Sequence, residues 1–506
     1  MITIRPFKAI RPRDNGSAAR IAALPYDVMS AEEARSMTAD NPDSFLHVDK
    51  AEIDLPPGTD PYSPGVYAKA RENLAALLER GVLTRDADNC FYLYRQIWQG
   101  RAQTGVVGCP SVDDYLEGRI RKHELTRADK EEDRVRHVDT LNAQTGPIFL
   151  AHRPDARIDG IVSAWTDGPD AHAPFYDFEG DEALTRFAQR IDGRSHASYR
   201  FPNTDFVESA VGGVRHIVWK VDDPAVCERI RAVFAETDAL YIADGHHRCA
   251  SAARVAQLRR AAKPDYTGDE EFNFFLAVIF PADELRVMDY NRVVKDLNGL
   301  TPDAFLESLE KKFDLERANG TDGNGKSYPV PNGDRSRSTP YAPVKKHEFG
   351  MYLSEKRPVA ANAAENDAAA VNAADDKAAA SGAWYRLTAK EAFIDESNPV
   401  ASLDAALLQE NLLAPVLGIE DPRTDKRIDF VGGIRGLGEL GRRADAFAGK
   451  SGAAAAFALY PVSMEDLMAV ADAGQIMPPK STWFEPKLLS GLFIHELTSS
   501  KKDKEP

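Results

Sequence analysis

Cysteine is scarce in this chain of 506 residues. Cys90, Cys109, Cys227 and Cys249 stand far apart and none forms a CxxC pair. That spacing suggests neither a disulfide framework nor a thiolate zinc site, and it fits reduced thiols in a cytoplasmic enzyme. Long apolar runs are lacking too. Nothing approaches the roughly 20 apolar residues that span a bilayer. The opening MITIRPFKAIRPRDNG has no stretch able to act as a signal peptide. Basic charge is in deficit, with 63 Lys and Arg against 79 Asp and Glu, a formal net charge of −16. A chain that coats nucleic acid needs a basic footprint, so neither nucleic acid nor membrane is an expected partner. What is present, 43% hydrophobic and 9% aromatic residues, is ordinary for a soluble globular protein. The expectation is a soluble, cytoplasmic protein of about two to four domains, its oligomeric state left open.

Strand and helix patterns alternate along the first part of the chain. IRPFKAIRP alternates like a strand, and MSAEEARSMTADNP reads as a helix capped by Ser30. YSPGVYAKARENLAALLERGVL is an amphipathic helix closed by Gly81, and NCFYLYRQIWQG with QTGVVGCPSV reads as a hairpin. RADKEEDRVRHVDTLNA and EALTRFAQRI read as helices, and GPIFLAH and ALYIADG as strands. This succession predicts an α/β or α+β fold with a mixed sheet core and a smaller C-terminal α/β part. Residues 1–310 form the expected core and 396–506 the C-terminal subdomain, where LFIHEL is the last strand. Between them, 311–395 reads as a linker, loop-like over 314–345, and a hairpin. HEFGMYLSEK and WYRLTAKE are its strands, interrupted over 358–383 by a low-complexity, Ala-rich insertion. Loop-closure cost grows slowly with length, so a hairpin tip tolerates such a segment. The tail SSKKDKEP reads as frayed.

YIADGHHRCASAARV, Tyr241 to Val255, carries the sharpest chemical signal. A strand ending at Ala243, a glycine turn and a helix from His246 aim backbone N–H groups at an anion. Asp244 can hold a histidine tautomer, and His246 and His247 can donate to phosphate or carry a proton. Arg248 can grip phosphate in bidentate fashion. The plain alternative is a capped helix with two half-exposed histidines. No HxxxH or HExxH spacing accompanies the pair, so the metal ligands, if any, stay unassigned.

Elsewhere, Asp27 in LPYDVMS is either a turn residue or a catalytic or metal-binding carboxylate. Lys130, Arg134 and His137 fall on one helical face, although Glu131 and Asp133 offer Arg134 weak surface ion pairs instead. Lys480, Ser481 and Thr482 in MPPKSTWFEPK form an anion-binding set or merely a polar loop. Gly432, Gly433, Gly436 and Gly438 lack the GxGxxG spacing and read as close-packing or turn glycines.

YIADGHHRCASAA resembles the Asp-Gly-His-His-Arg signature of the ParB/sulfiredoxin-like superfamily, some members of which phosphorylate free serine. The wider chain resembles the family known as domain of unknown function 1015. ALPYDVMSAEEAR, KEEDRVRHVDTLNAQTGPIF, DGHHR and MPPKSTWFEPKLLSGLF carry that second likeness. The Ala-rich insertion departs from the family's compact hairpin. The resemblance implies a ParB/sulfiredoxin-like element and a nucleotide or phosphate pocket at Asp244, Gly245, His246, His247 and Arg248. It also favours functional roles for Arg134 and His137. The resulting expectation is phosphoryl transfer on a small metabolite, serine or phosphoserine first, with ATP or ADP and Mg²⁺. Asp27, His246 and His247 would do the chemistry; Arg248, Arg134, His137, Lys480, Ser481 and Thr482 would bind. Two alternatives stay open: a metal-dependent phosphatase and a non-catalytic, nucleotide-responsive regulator. A sulfiredoxin-like repair role would use Cys249.

Overall fold

The computed structural model describes residues 1–180, 213–318, 341–355 and 381–498. The helix expected at EALTRFAQRI, most of the Ala-rich insertion and the charged tail lie outside the described residues. The chain divides into two compact units, Met1–Arg286 with Phe484–Pro506, and Val287–Trp483. These boundaries differ from the three segments expected from linear order. LFIHEL is the reason. Ile494–Glu496 pairs with Ala9–Pro12 on one side and Ala143–Gln144 on the other, so the chain end returns to the first unit.

The first unit is built on a nine-stranded mixed sheet. From edge to edge it runs Ile120–Arg121, Leu240–Asp244, Ile148–His152 and Ala277–Pro281, then Arg101–Pro110, Phe91–Trp98, Arg215–Val221 and Tyr176–Glu179. Ile4–Arg5 pairs off this path onto Arg101–Pro110. Leu240–Asp244 runs parallel to Ile120–Arg121 and antiparallel to Ile148–His152, which in turn is parallel to Ala277–Pro281. The expected hairpin is present, turning through Gln99 and Gly100 at φ +49° and +75°. Two consecutive positive φ values match the right-handed twist of the flanking strands. IRPFKAIRP is not one strand. Ile4–Arg5 joins the large sheet and Ala9–Pro12 a four-stranded one, with Phe7 bridging to Cys90 between them.

Helix His246–Ala262 packs on this core through Cys249, Ala252, Ala253 and Ala256, all buried. Small side chains at helical spacing let its backbone approach the sheet closely. Helix Ala128–Leu141 ends in a left-handed Asn142 at φ +53°. All four cysteines are buried and free.

The second unit holds a six-stranded sheet ordered Phe313–Arg317, Ser381–Ala389, Glu348–Glu355, Ala453–Leu459, Tyr290–Val294 and Ile428–Gly432. Glu348–Glu355 and Ser381–Ala389 are antiparallel neighbours, with Glu355 opposite Ser381. Phe313–Arg317 corrects the loop expected from residue 314: its apolar–polar alternation forms an edge strand. A Cβ on Gly432 would strike the Trp483 ring, and one on Gly433 the Asp289 side chain. Both are close-packing glycines.

Candidate functional site

The turn after Leu240–Asp244 depends on Gly245, whose φ of +91° is left-handed. A Cβ there would also lie 3.1 Å from Arg248 Nε. Helix His246–Ala262 starts at once, with Cys249 N–H donating to Gly245 O at 2.9 Å. Gly245 offers no side chain to cap it, which leaves the first turn's positive end for an anion. Arg248 folds back across the turn. Its Nη1 donates to Pro147 O, and its Nη2 lies 3.2 Å from Asp244 Oδ2. Lys487 Nζ approaches the same Asp244 oxygen at 3.8 Å.

The two histidines do different things. His246 turns inward, 7% exposed, with its ring edge-on to His123 at 4.5 Å. Burial, reinforced by His123, pushes His246 well below the ordinary histidine range. Burial also lowers His123 to about 4. His246 is therefore a neutral buried ring behind the turn, which differs from its expected place against a ligand. His247 is half-buried, and its Nε2 accepts from Arg127 N–H at 3.0 Å. That bond ties the turn to the start of helix Ala128–Leu141 and leaves the neutral ring's proton on Nδ1.

Between these helices lies a recess of about 470 Å³, its open mouth included. Arg134 and His137 reach it from one helix, Arg248 and Ser251 from the other, and Tyr26 and Asp49 from the N-terminal segments. Gln144, Thr145 and Ser490 complete its polar lining. Arg134 is 8% exposed, stacks 3.8 Å over the Tyr26 ring and pairs with Asp133 at 2.8 Å. Tyr67 donates to the other Asp133 oxygen at 2.9 Å. Burial works against the Arg134 charge, but Tyr26, Asp133 and Asp49 outweigh it and raise its pKa. Burial raises Tyr26 against the opposing pull of Arg134, so the phenol stays protonated at neutral pH. His137 Nε2 faces Val48 O at 3.2 Å, and burial beside Arg134 lowers the ring to about 4. The Asp133–Arg134 pair thus replaces the expected surface ion pair with a buried one that holds a recess residue in place.

Asp27 is exposed and adjoins Tyr26. Lys130 reaches outward to the Tyr62 hydroxyl at 2.7 Å, although it shares a helix with Arg134. Lys480, Ser481 and Thr482 belong to the second unit. There Ser481 turns inward to donate to Pro478 O at 2.6 Å, and Lys480 Nζ sits 5.6 Å over the Tyr290 ring. Burial pushes the Cys249 thiol up, beyond the reach of thiolate chemistry at neutral pH. Sequence reasoning missed Tyr26, Asp49, Asp133 and Thr145. Tyr26 was in view beside Asp27; Asp49 and Thr145 carry no motif, and only the fold brings them to Arg134.

Among the described residues no helix is long and apolar enough to cross a membrane. No group of three or more His, Cys, Asp or Glu among them forms a metal cluster. The family model described as "Protein of unknown function (DUF1015)" matches residues 4–196 and 195–406. No curated protein matches the chain. Among solved structures, a free serine kinase in complex with AMP aligns at 12% identity and a TM-score of 0.30, covering 78% of this chain and 91% of that one. SbnI with a C-terminal truncation, from Staphylococcus aureus, aligns at 10% identity and 0.31, covering 79% and 90%. A conserved hypothetical protein from Pyrococcus furiosus aligns at 12% and 0.27, covering 76% and 94%. Likenesses this remote assign no residue a role, and the chemistry of the recess rests on its own geometry.

Proposed function

The chain belongs to the family described as protein of unknown function DUF1015, and from that premise we propose that it transfers a phosphoryl group between a nucleotide and the hydroxyl of a small metabolite, serine being the first to test. One observation carries this reading: Arg134 and Arg248, from two different helices, line one recess. Guanidinium groups in a sheltered site are suited to phosphate oxygens and to charge that builds on a transferring phosphoryl group. Arg248 has five N–H donors and spends two on Pro147 O and Asp244. The uncapped turn at Gly245 adds the positive end of a helix.

In the forward direction the serine Oγ–P bond forms as the bond from the γ-phosphorus to the ADP oxygen breaks. Asp27, exposed beside Tyr26, takes the hydroxyl proton. His247 holds the turn against helix Ala128–Leu141. Mg²⁺ would be held mainly by the nucleotide phosphates, needing only one or two protein carboxylates.

The test incubates the full chain with ATP or ADP and serine or phosphoserine, with and without Mg²⁺, following phosphoserine and free phosphate. The expected result is nucleotide-dependent phosphoserine formation that falls on the order of a hundredfold or more in Arg248→Ala. Phosphate release from phosphoserine without nucleotide would identify a phosphatase. Tight nucleotide binding without turnover would identify a regulator.

A further inference from the structure

We infer that Asp49 recognises an ammonium group, so that the recess takes a ligand carrying a cationic amine as well as an anion. The inference rests on the reading of Arg134 and Arg248 as the anion-binding pole. Asp49 is 6% exposed and lines the same recess. Its Oδ1 accepts from Thr145 Oγ1 at 2.7 Å. The lining arginines have their close carboxylate partners elsewhere, Arg134 with Asp133 at 2.8 Å and Arg248 with Asp244 at 3.2 Å. Among the described residues Asp49 takes part in no ion pair. A carboxylate has about four acceptor positions, and Thr145 fills one.

Asp49 feels the Arg134 charge without a direct ion pair to it, and a nearly buried carboxylate so placed is costly unless a closer charge completes it. His137 on the same wall does not supply that charge, since burial keeps its ring neutral at pH 7. The lining therefore presents two guanidinium groups and one carboxylate to the same small volume. A ligand with anionic groups alone would meet repulsion from Asp49. An amino acid or its phosphate ester satisfies both poles at once: its acidic group faces the arginines and its three ammonium N–H donors face Asp49. The charge pattern thus selects an amine-bearing metabolite over its hydroxy-acid counterpart.

The experiment is calorimetric titration of the full chain, in metal-free buffer, with phosphoserine, 3-phosphoglycerate and inorganic phosphate. The first two share a skeleton and differ in an α-ammonium against an α-hydroxyl group. The expected result is tighter binding of phosphoserine by on the order of tenfold or more, with the ratio collapsing toward one in Asp49→Asn. Equal wild-type affinities for the two esters would overturn the inference while leaving the anion reading standing. A preference that survives Asp49→Asn would overturn the assignment to Asp49. Failure of all three ligands to bind would overturn the reading of the recess, and this inference with it. The wild-type comparison needs no variant, so it decides the matter even where Asp49→Asn misfolds.

Discussion

Two constraints meet at Gly245. Its φ of +91° costs a non-glycine residue roughly 1–2 kcal/mol, and a Cβ would press on Arg248 Nε at 3.1 Å. Gly245→Ala is therefore expected to lower the melting temperature and weaken phosphate binding together, because the same methyl group strains the turn and displaces the guanidinium. Thermal melts and phosphate titrations of the variant check both. The buried histidines make a second prediction. His123 and His137 sit at about 4 and His216 at about 3, all lowered first by burial. In the unfolded chain these rings titrate near 6.5. Below that pH the unfolded state binds more protons than the folded one, so stability is full above about 6.5 and falls as pH drops toward 4. Melting temperatures measured from pH 8 to pH 4 should show that decline; a flat profile would mean that the rings are not held neutral. At this scale the site was only half legible. Spacing and motif single out Arg134, His137 and Arg248, and the fold brings these three to one recess. The division of labour between His246 and His247 was not legible, because adjacent residues on a first helical turn point in different directions and only packing decides which is buried.

Elements were legible wherever a local rule fixes them. Ser30 and Ser463 begin their helices with reciprocal capping boxes, to Glu33 and Asp466, as their sequence patterns announce. Ser463→Ala should remove the bond to Asp466 N–H and cost about 1 kcal/mol, measurable as a shift in the urea midpoint of the full chain. Its position in the second unit should leave ligand affinity of the recess unaltered. The paired strands around Glu355 and Ser381 were also visible, since alternation survives on both sides of the Ala-rich segment. Phe313–Arg317 was hidden by the Gly-, Asn- and Ser-rich residues that follow it, which made the whole stretch resemble a loop. The Asp133–Arg134 pair looked like surface charge because helix periodicity says which residues share a face, not what packs over it.

Long-range pairing was beyond any local rule, and LFIHEL shows the consequence for the whole molecule. Read in order, it closes the C-terminal subdomain; in the structure it completes a sheet whose other strands come from the first 150 residues. Leu488, Leu489, Leu492, Phe493, Ile494 and Leu497 are each less than 5% exposed. Phe493 packs on Tyr92 at 5.1 Å and on Tyr94 at 6.0 Å, and Ser490 lines the recess itself. Burying such a side chain contributes about 1.5–3 kcal/mol, so the six together rival the 5–15 kcal/mol that separates a typical folded domain from its unfolded state. A chain ending at Trp483 would keep every residue of the second unit yet lose this strand from the first. It should therefore retain the cooperative melting of Val287–Trp483 while the transition of the first unit is lost, together with phosphate binding. Calorimetry of the truncated and full chains distinguishes this outcome from simple loss of a frayed end, which would leave both transitions and the binding in place.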